Sequence, residues 1–101
     1  MIKHTVTFKL KYAKGSAEES IFLKAATELR SIPGVKNFEC LRQISAKSHF
    51  DYALSMDFIS IETYNEYNQH PEHTTFVNTY WTAFVEDFLE LDYELMQLLG
   101  I

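Results

Sequence analysis

The chain has four histidines, and two of them fall with a tyrosine inside the ten residues "YNQHPEHTTF", from Tyr67 to Phe76. A neutral imidazole can take a proton from carbon while a phenol polarises a neighbouring carbonyl. A histidine and a tyrosine on one pocket wall therefore make an acid/base pair. Pro71 suits the first position of a helix, because the amide hydrogen it lacks would have no partner there. The segment reads as a helix start that runs to about Val85, with His73, Phe76, Val77, Tyr80 and Phe84 on one face by helical spacing. The positive end of that helix disfavours imidazolium and leaves His73 the neutral base. Tyr67, one to two turns earlier, is placed to bring its hydroxyl to the same space, and His4 to join them from a neighbouring strand. The plain alternative is that all three are polar tips satisfied at the rim of a core, as tyrosine and histidine often are.

Other groupings carry less chemistry. "HPEH" sets two histidines three apart, but the residue before a proline is pushed toward extended backbone, so His70 and His73 are not expected on one helical face. With Glu72 as the only adjacent carboxylate, zinc is a poor match. His70 reads as a capping or turn residue, and His49 as solvated in a polar loop. Cys40 lies on a strand with no histidine near it in sequence, which suits a small core residue better than a nucleophile. The only glycines are Gly15, Gly34 and Gly100, so no phosphate-cradling loop exists and no cofactor is expected.

The elements that must position these side chains are legible from periodicity. "IKHTVTFKL" alternates, with Ile2, His4, Val6, Phe8 and Leu10 on the inner face. "SAEESIFLKAATELRSI" opens with a capping box, Ser16 and Glu19, and carries the stripe Phe22, Ala25, Ala26, Leu29 and Ile32, so it is a helix. Pro33 and Gly34 break it. "VKNFECLRQIS" is a second strand, with Phe38, Cys40 and Ile44 on one face, and "DYALSMDFIS" a third, separated by the polar turn "AKSHF". Ser60 caps a short helix, "IETYNEYNQ". After the helix that begins at Pro71, "VEDFLELDYEL" forms a fourth strand, with Val85, Leu89, Leu91 and Tyr93 on one side and Glu86, Phe88 and Glu90 on the other. An apolar tail, "MQLLGI", comes last. The order β-α-β-β-α-β predicts an α+β fold with a four-stranded antiparallel sheet and both helices on one face. Leu41, Ile59 and Phe88 are expected among the polar residues of the open face, which a second copy of the chain could cover.

The 101 residues make a single domain, 1–101, with 47% hydrophobic, 15% aromatic and 23% charged residues, a composition for one modest core. The net charge of -5 and nine scattered Lys and Arg give no basic stripe for a phosphate backbone, so nucleic acid is not an expected partner. A lone cysteine, no apolar signal segment and no long apolar run point to a cytoplasmic protein without a membrane.

The stretches "IKHTVTFKLK", "SIPGVKNFE", "FDYALSMDF", "YNEYNQHPEHTTFV" and "DFLELDY" resemble, in order from His4 to Tyr93, the stress-responsive A/B barrel (Dabb) family. "HPEH" and the closing "DY" are the most specific of them. The resemblance implies a ferredoxin-like protomer and a dimeric α+β barrel, a homodimer packed through the sheet face with help from the C-terminal segment. The family's best understood enzyme is the cyclase that makes olivetolic acid by closing a linear polyketide in an aldol condensation. By resemblance to it, Tyr67 and His73 carry catalysis with His4 beside them, and Phe22, Ala25, Val6, Phe76, Val77 and Tyr80 line a cavity. Ala25 stands where that cyclase has a tyrosine, and Ile21 and Phe22 where it has phenylalanines, so the pocket differs in shape. Some plant relatives hold magnesium on backbone carbonyls, here those of Leu29, Ile32 and Val35. Three readings stay open: an acid/base cyclase or lyase acting on a small carbonyl or polyketide-like molecule, a noncatalytic stress-response or ligand-binding dimer, and a monooxygenase of the dimeric barrel type.

Overall fold

A computed structural model describes residues 1–97 of the chain. Four antiparallel strands, β1 (Ile2–Leu10), β2 (Lys36–Arg42), β3 (Tyr52–Phe58) and β4 (Val85–Glu94), lie in the order β2-β3-β1-β4. The helices are α1 (Ala17–Thr27), α2 (Ile61–Gln69), α3 (Pro71–Phe76) and the single turn α4 (Thr82–Phe84). This is the expected ferredoxin-like arrangement. The Ser16 hydroxyl accepts the Glu19 amide at 3.2 Å. The Glu19 carboxylate reaches back one residue further than a capping box requires, to the Gly15 amide at 3.0 Å, and also accepts the Tyr52 hydroxyl.

The core lies between the sheet and the helices, where Val6, Phe8, Leu10, Leu54, Met56 and Phe58 meet Phe22, Ala26, Leu29, Ile32 and Phe76. At the break after α1, Gly34 has φ +92°, and a Cβ there would meet Thr63 Cγ2 at 2.4 Å. Only glycine fits this turn without displacing α2.

Three expectations are corrected. Cys40 is exposed, not a core residue, because β2 is the outer strand and the helical layer does not extend over it. Ile44 lies beyond the end of β2 and is also exposed. The faces of β4 are exchanged relative to simple alternation. Lys9 pairs with Asp87, but Leu10 pairs with Val85, so Glu86 is an extra residue in a bulge. The bulge keeps Val85 against the core yet turns Leu89, Leu91 and Tyr93 to the open face. Phe88, Glu90 and Asp92 instead lie on the helix-facing side, beside Phe8, Val6 and His4.

The helix expected from Pro71 to Val85 is also interrupted. Residues Val77–Trp81 form a π-helical turn, which inserts an extra residue and rotates the side chains after it. Trp81 thereby turns inward, against Phe8, Phe22 and Phe88, and Tyr80 packs on Phe76 and Phe84 beside a groove between α1 and α3. Of the tail "MQLLGI", residues 98–101 lie outside the described residues. No helix among the described residues is long and apolar enough to cross a membrane.

Candidate active site

The helical wall of the site is built from α2 and α3. Ser60 caps α2 by accepting the Thr63 amide at 3.2 Å, and Tyr64 and Tyr67, three residues apart, share the buried face of that helix. His70 has extended backbone and caps α3, its Nδ1 accepting the Glu72 amide at 3.1 Å. It therefore does not share a face with His73.

His73 Nδ1 lies 3.2 Å from the Asn68 carbonyl. A carbonyl only accepts, so Nδ1 carries the proton and Nε2 the lone pair. Among the described residues, no group hydrogen-bonds this Nε2. Burial holds the imidazole below its ordinary pKa, against the smaller opposing effect of the bond to Asn68. The ring sits 4.6 Å, centroid to centroid, from that of Tyr67. Tyr67 is almost fully buried, and no described residue hydrogen-bonds its hydroxyl. Burial, with the nearby Tyr64 and Glu90, pushes its pKa up, so it stays a phenol and a donor.

The sheet wall presents His4, which is buried, from β1. Its Nδ1 lies 2.5 Å from Asp92 Oδ1 and 3.0 Å from the Tyr64 hydroxyl, which in turn donates to Asp92 Oδ2 at 2.8 Å. The carboxylate accepts from both, so the proton of His4 is placed on Nδ1. Burial, and then the bond to Asp92, raise the Tyr64 pKa. Asp92, Tyr64 and His4 thus hold one another in a fixed geometry.

Between these walls lies a half-open cavity of about 380 Å³, within the usual size range of small-molecule sites. Its lining is mostly apolar, with Val6, Leu54, Met56, Phe76, Trp81 and Phe88, and its polar groups include His4, Tyr67, His73 and Glu90. His4, Tyr67 and His73 come together, with Val6, Phe76 and Val77 beside them. Phe22 lies instead within the core, and Ala25 and Tyr80 line a second groove of about 480 Å³ between α1 and α3. Leu29 and Phe76 separate the two spaces. His49 is exposed in its loop as expected, and its Nε2 lies 2.7 Å from Asp87 Oδ2.

Sequence reasoning missed Tyr64, Asp92, Phe88 and Glu90. A signal for Tyr64 was present in its spacing from Tyr67. Asp92 needed the β1–β4 register, and Phe88 and Glu90 needed the bulge. The Leu29 and Ile32 carbonyls each already accept an amide, from Ile32 at 3.1 Å and Val35 at 3.2 Å. With a neutral donor set and one lone pair on each of those two oxygens already used, this turn fits magnesium poorly. His4, Glu90 and Asp92 offer ligand atoms within 4.8 Å of one another. Both Asp92 oxygens, however, are held by His4 and Tyr64.

A family model described as the stress responsive A/B barrel domain, Dabb, matches residues 2–95. The chain belongs to the Dabb family. A Dabb family protein with a ferredoxin-like fold from Mesorhizobium loti is 46% identical over 95% of this chain and 97% of its own, with a TM-score of 0.92. A dimeric ferredoxin-like protein of unknown function from Thermobifida fusca shares the fold at 20% identity (93% of this chain, 90% of its own, TM-score 0.78). So does the hydroxynitrile lyase of Passiflora edulis at 16% identity (98% and 96%, TM-score 0.82). No curated protein matches the chain. This Dabb domain therefore shares one scaffold with an enzyme and with a dimer of unknown function, and its own chemistry has to be argued from its cavity.

Proposed function

We propose that this Dabb protein binds a small, largely apolar carbonyl compound in the 380 Å³ cavity and enolises it by acid/base catalysis. The observation that carries this reading is the pair of free polar groups in an apolar space: the lone pair on His73 Nε2 and the Tyr67 hydroxyl, their rings 4.6 Å apart. Neither atom is sealed in packed core, since every fully buried polar side-chain atom among the described residues has a partner; both are open to a ligand in the cavity. His73 Nε2 takes a proton from the carbon next to the carbonyl. Tyr67 donates a hydrogen bond to the carbonyl oxygen as negative charge develops there. His4, fixed by Asp92 and Tyr64, forms the sheet side of the pocket. The enolate then attacks a second carbonyl of the same molecule, closing a ring, or is reprotonated. The likeness in fold to a lyase is compatible with such chemistry but does not carry it.

Trp81 lines the cavity and is the only tryptophan, so its emission reports entry of a ligand. With acetophenone in deuterium oxide, saturable quenching and deuterium incorporation at the methyl carbon above the buffer rate are expected. Quenching without incorporation would reduce the site to a binder. Absence of both would remove the reading altogether.

The homodimer is proposed on the open sheet face. Leu41, Leu89, Leu91 and Tyr93 lie there, each between 43% and 51% exposed. The Thr5 and Thr7 hydroxyls beside them donate to the Leu91 and Leu89 carbonyls, so these two hydroxyls are already paired. Leu91→Asp would bury a charge in such an interface. It is expected to weaken dimerisation by about a hundredfold or more in analytical ultracentrifugation, with the far-UV spectrum unchanged. An undisturbed dimer would place the interface elsewhere.

A further inference from the structure

Among the described residues, Glu90 is the only carboxylate lining a cavity whose walls are otherwise mostly apolar. On an edge strand, an exposed glutamate is usually just solvated, and its charge discourages pairing with another chain. The β4 bulge changes that reading here. Glu90 pairs in register with Val6 and lies on the same strand face as Phe88, which also lines the cavity, and Asp92, which is bonded to His4. Asp92 accepts from His4 and Tyr64, whereas among the described residues no hydrogen bond or ion pair reaches Glu90, although its carboxylate lies within 4.8 Å of ligand atoms of His4 and Asp92. Its charge nevertheless reaches across the cavity, for it is one cause of the raised Tyr67 pKa. It stands on the sheet wall, facing the helical wall that holds Tyr67 and His73.

We infer that Glu90 is a specificity-determining residue, and that the ligand class is a hydroxy-substituted aromatic or enolic carbonyl compound. The hydroxyl donates to the Glu90 carboxylate while the carbonyl lies against Tyr67. A ligand that ends in a carboxylate is disfavoured, because it would bring a second anion against Glu90 in a mostly apolar cavity. This assignment rests on the cavity being the ligand site. It adds which end of the ligand faces which wall.

The test uses three probes of nearly equal size and the Trp81 emission: 4-hydroxyacetophenone, acetophenone and 4-acetylbenzoate. In the unmodified protein, 4-hydroxyacetophenone is expected to bind about tenfold more tightly than acetophenone, and 4-acetylbenzoate at least about tenfold more weakly. Glu90→Leu should bring the three within about threefold of one another. Glu90→Gln should admit 4-acetylbenzoate while keeping part of the hydroxyl preference. If acetophenone binds but the unmodified protein does not discriminate, or if Glu90→Leu discriminates as well as the parent, the assignment to Glu90 is wrong and the ligand site stands. If none of the probes binds, the ligand-site reading and this one fall together.

Discussion

His73→Ala is expected to lower the rate of acetophenone deuteration by about 10²–10⁴-fold, the usual range for removal of a general base. The substitution removes the lone pair that stands beside the Tyr67 ring, whereas His4, the other imidazole of the lining, is held on the sheet wall by Asp92 and Tyr64. Asn68 offers a neutral amide, and Glu90 stands on the opposite wall. The fold should survive. His73 is only half-buried, its single hydrogen bond goes to the chain just before it, and the helix start is capped by His70 instead. Circular dichroism and the dimer equilibrium should therefore match those of the parent.

The pH profile provides a second check on His73. The active form is the neutral imidazole, and burial depresses its pKa, so activity should be full above the ordinary histidine value of 6.5 and fall only at lower pH. Acetophenone turnover retained in the alanine variant, or an acid limb centred above 6.5, would remove His73 from the mechanism. Tyr67→Phe separates the partner's contribution. It should lower the rate while leaving the acid limb in place, because the phenol stabilises charge on oxygen and does not accept the proton.

Phe22→Ala is the substitution expected to cost most in stability, about 3–5 kcal/mol. The ring is fully buried and meets Phe8 at 5.3 Å, Phe76 at 5.6 Å, Phe84 at 5.9 Å and Trp81 at 6.0 Å between centroids. It ties β1, α1 and the π-helical turn together. No neighbour can fill the space without abandoning its own contact, so the loss includes a cavity term as well as burial. At about 4–8 °C per kcal/mol for a domain of this size, Tm should fall by more than about 10 °C. Phe76 and Trp81 also line the ligand cavity, so the same variant should shift the Trp81 emission and loosen acetophenone binding. A cost below about 1 kcal/mol would mean that the aromatic cluster repacks freely and does not set the shape of the cavity.

The parts of this architecture that depend on neighbours in sequence were legible in advance. Alternation in "IKHTVTFKL" placed His4 inward, the Ser16 cap marked where α1 begins, and proline chemistry separated His70 from His73. Each arises from a local steric or hydrogen-bonding rule spanning fewer than about five residues. The helical face of "YNQHPEHTTF" was legible for the same reason, but only as far as Val77. A π-helical turn leaves no mark in hydrophobic spacing, and it is this turn that brings Trp81 into the cavity lining. In β4, period-2 alternation was read correctly as a strand but assigned to the wrong face, since a single bulged residue at Glu86 inverts every side chain after it.

The sequence by itself determined the order of elements, the apolar stripes that make one core, the Dabb resemblance, and the presence of a histidine and a tyrosine beside a helix start. Those are consequences of composition and short-range periodicity. Only the tertiary structure decided which groups meet: it set Asp92 against His4 across 88 residues of chain, brought Tyr64 to both, and turned Phe88 and Glu90 into the cavity. The physical reason is that β-pairing register and bulges are chosen by the packing of the whole sheet against its helices, a sum over long-range contacts that no local pattern contains.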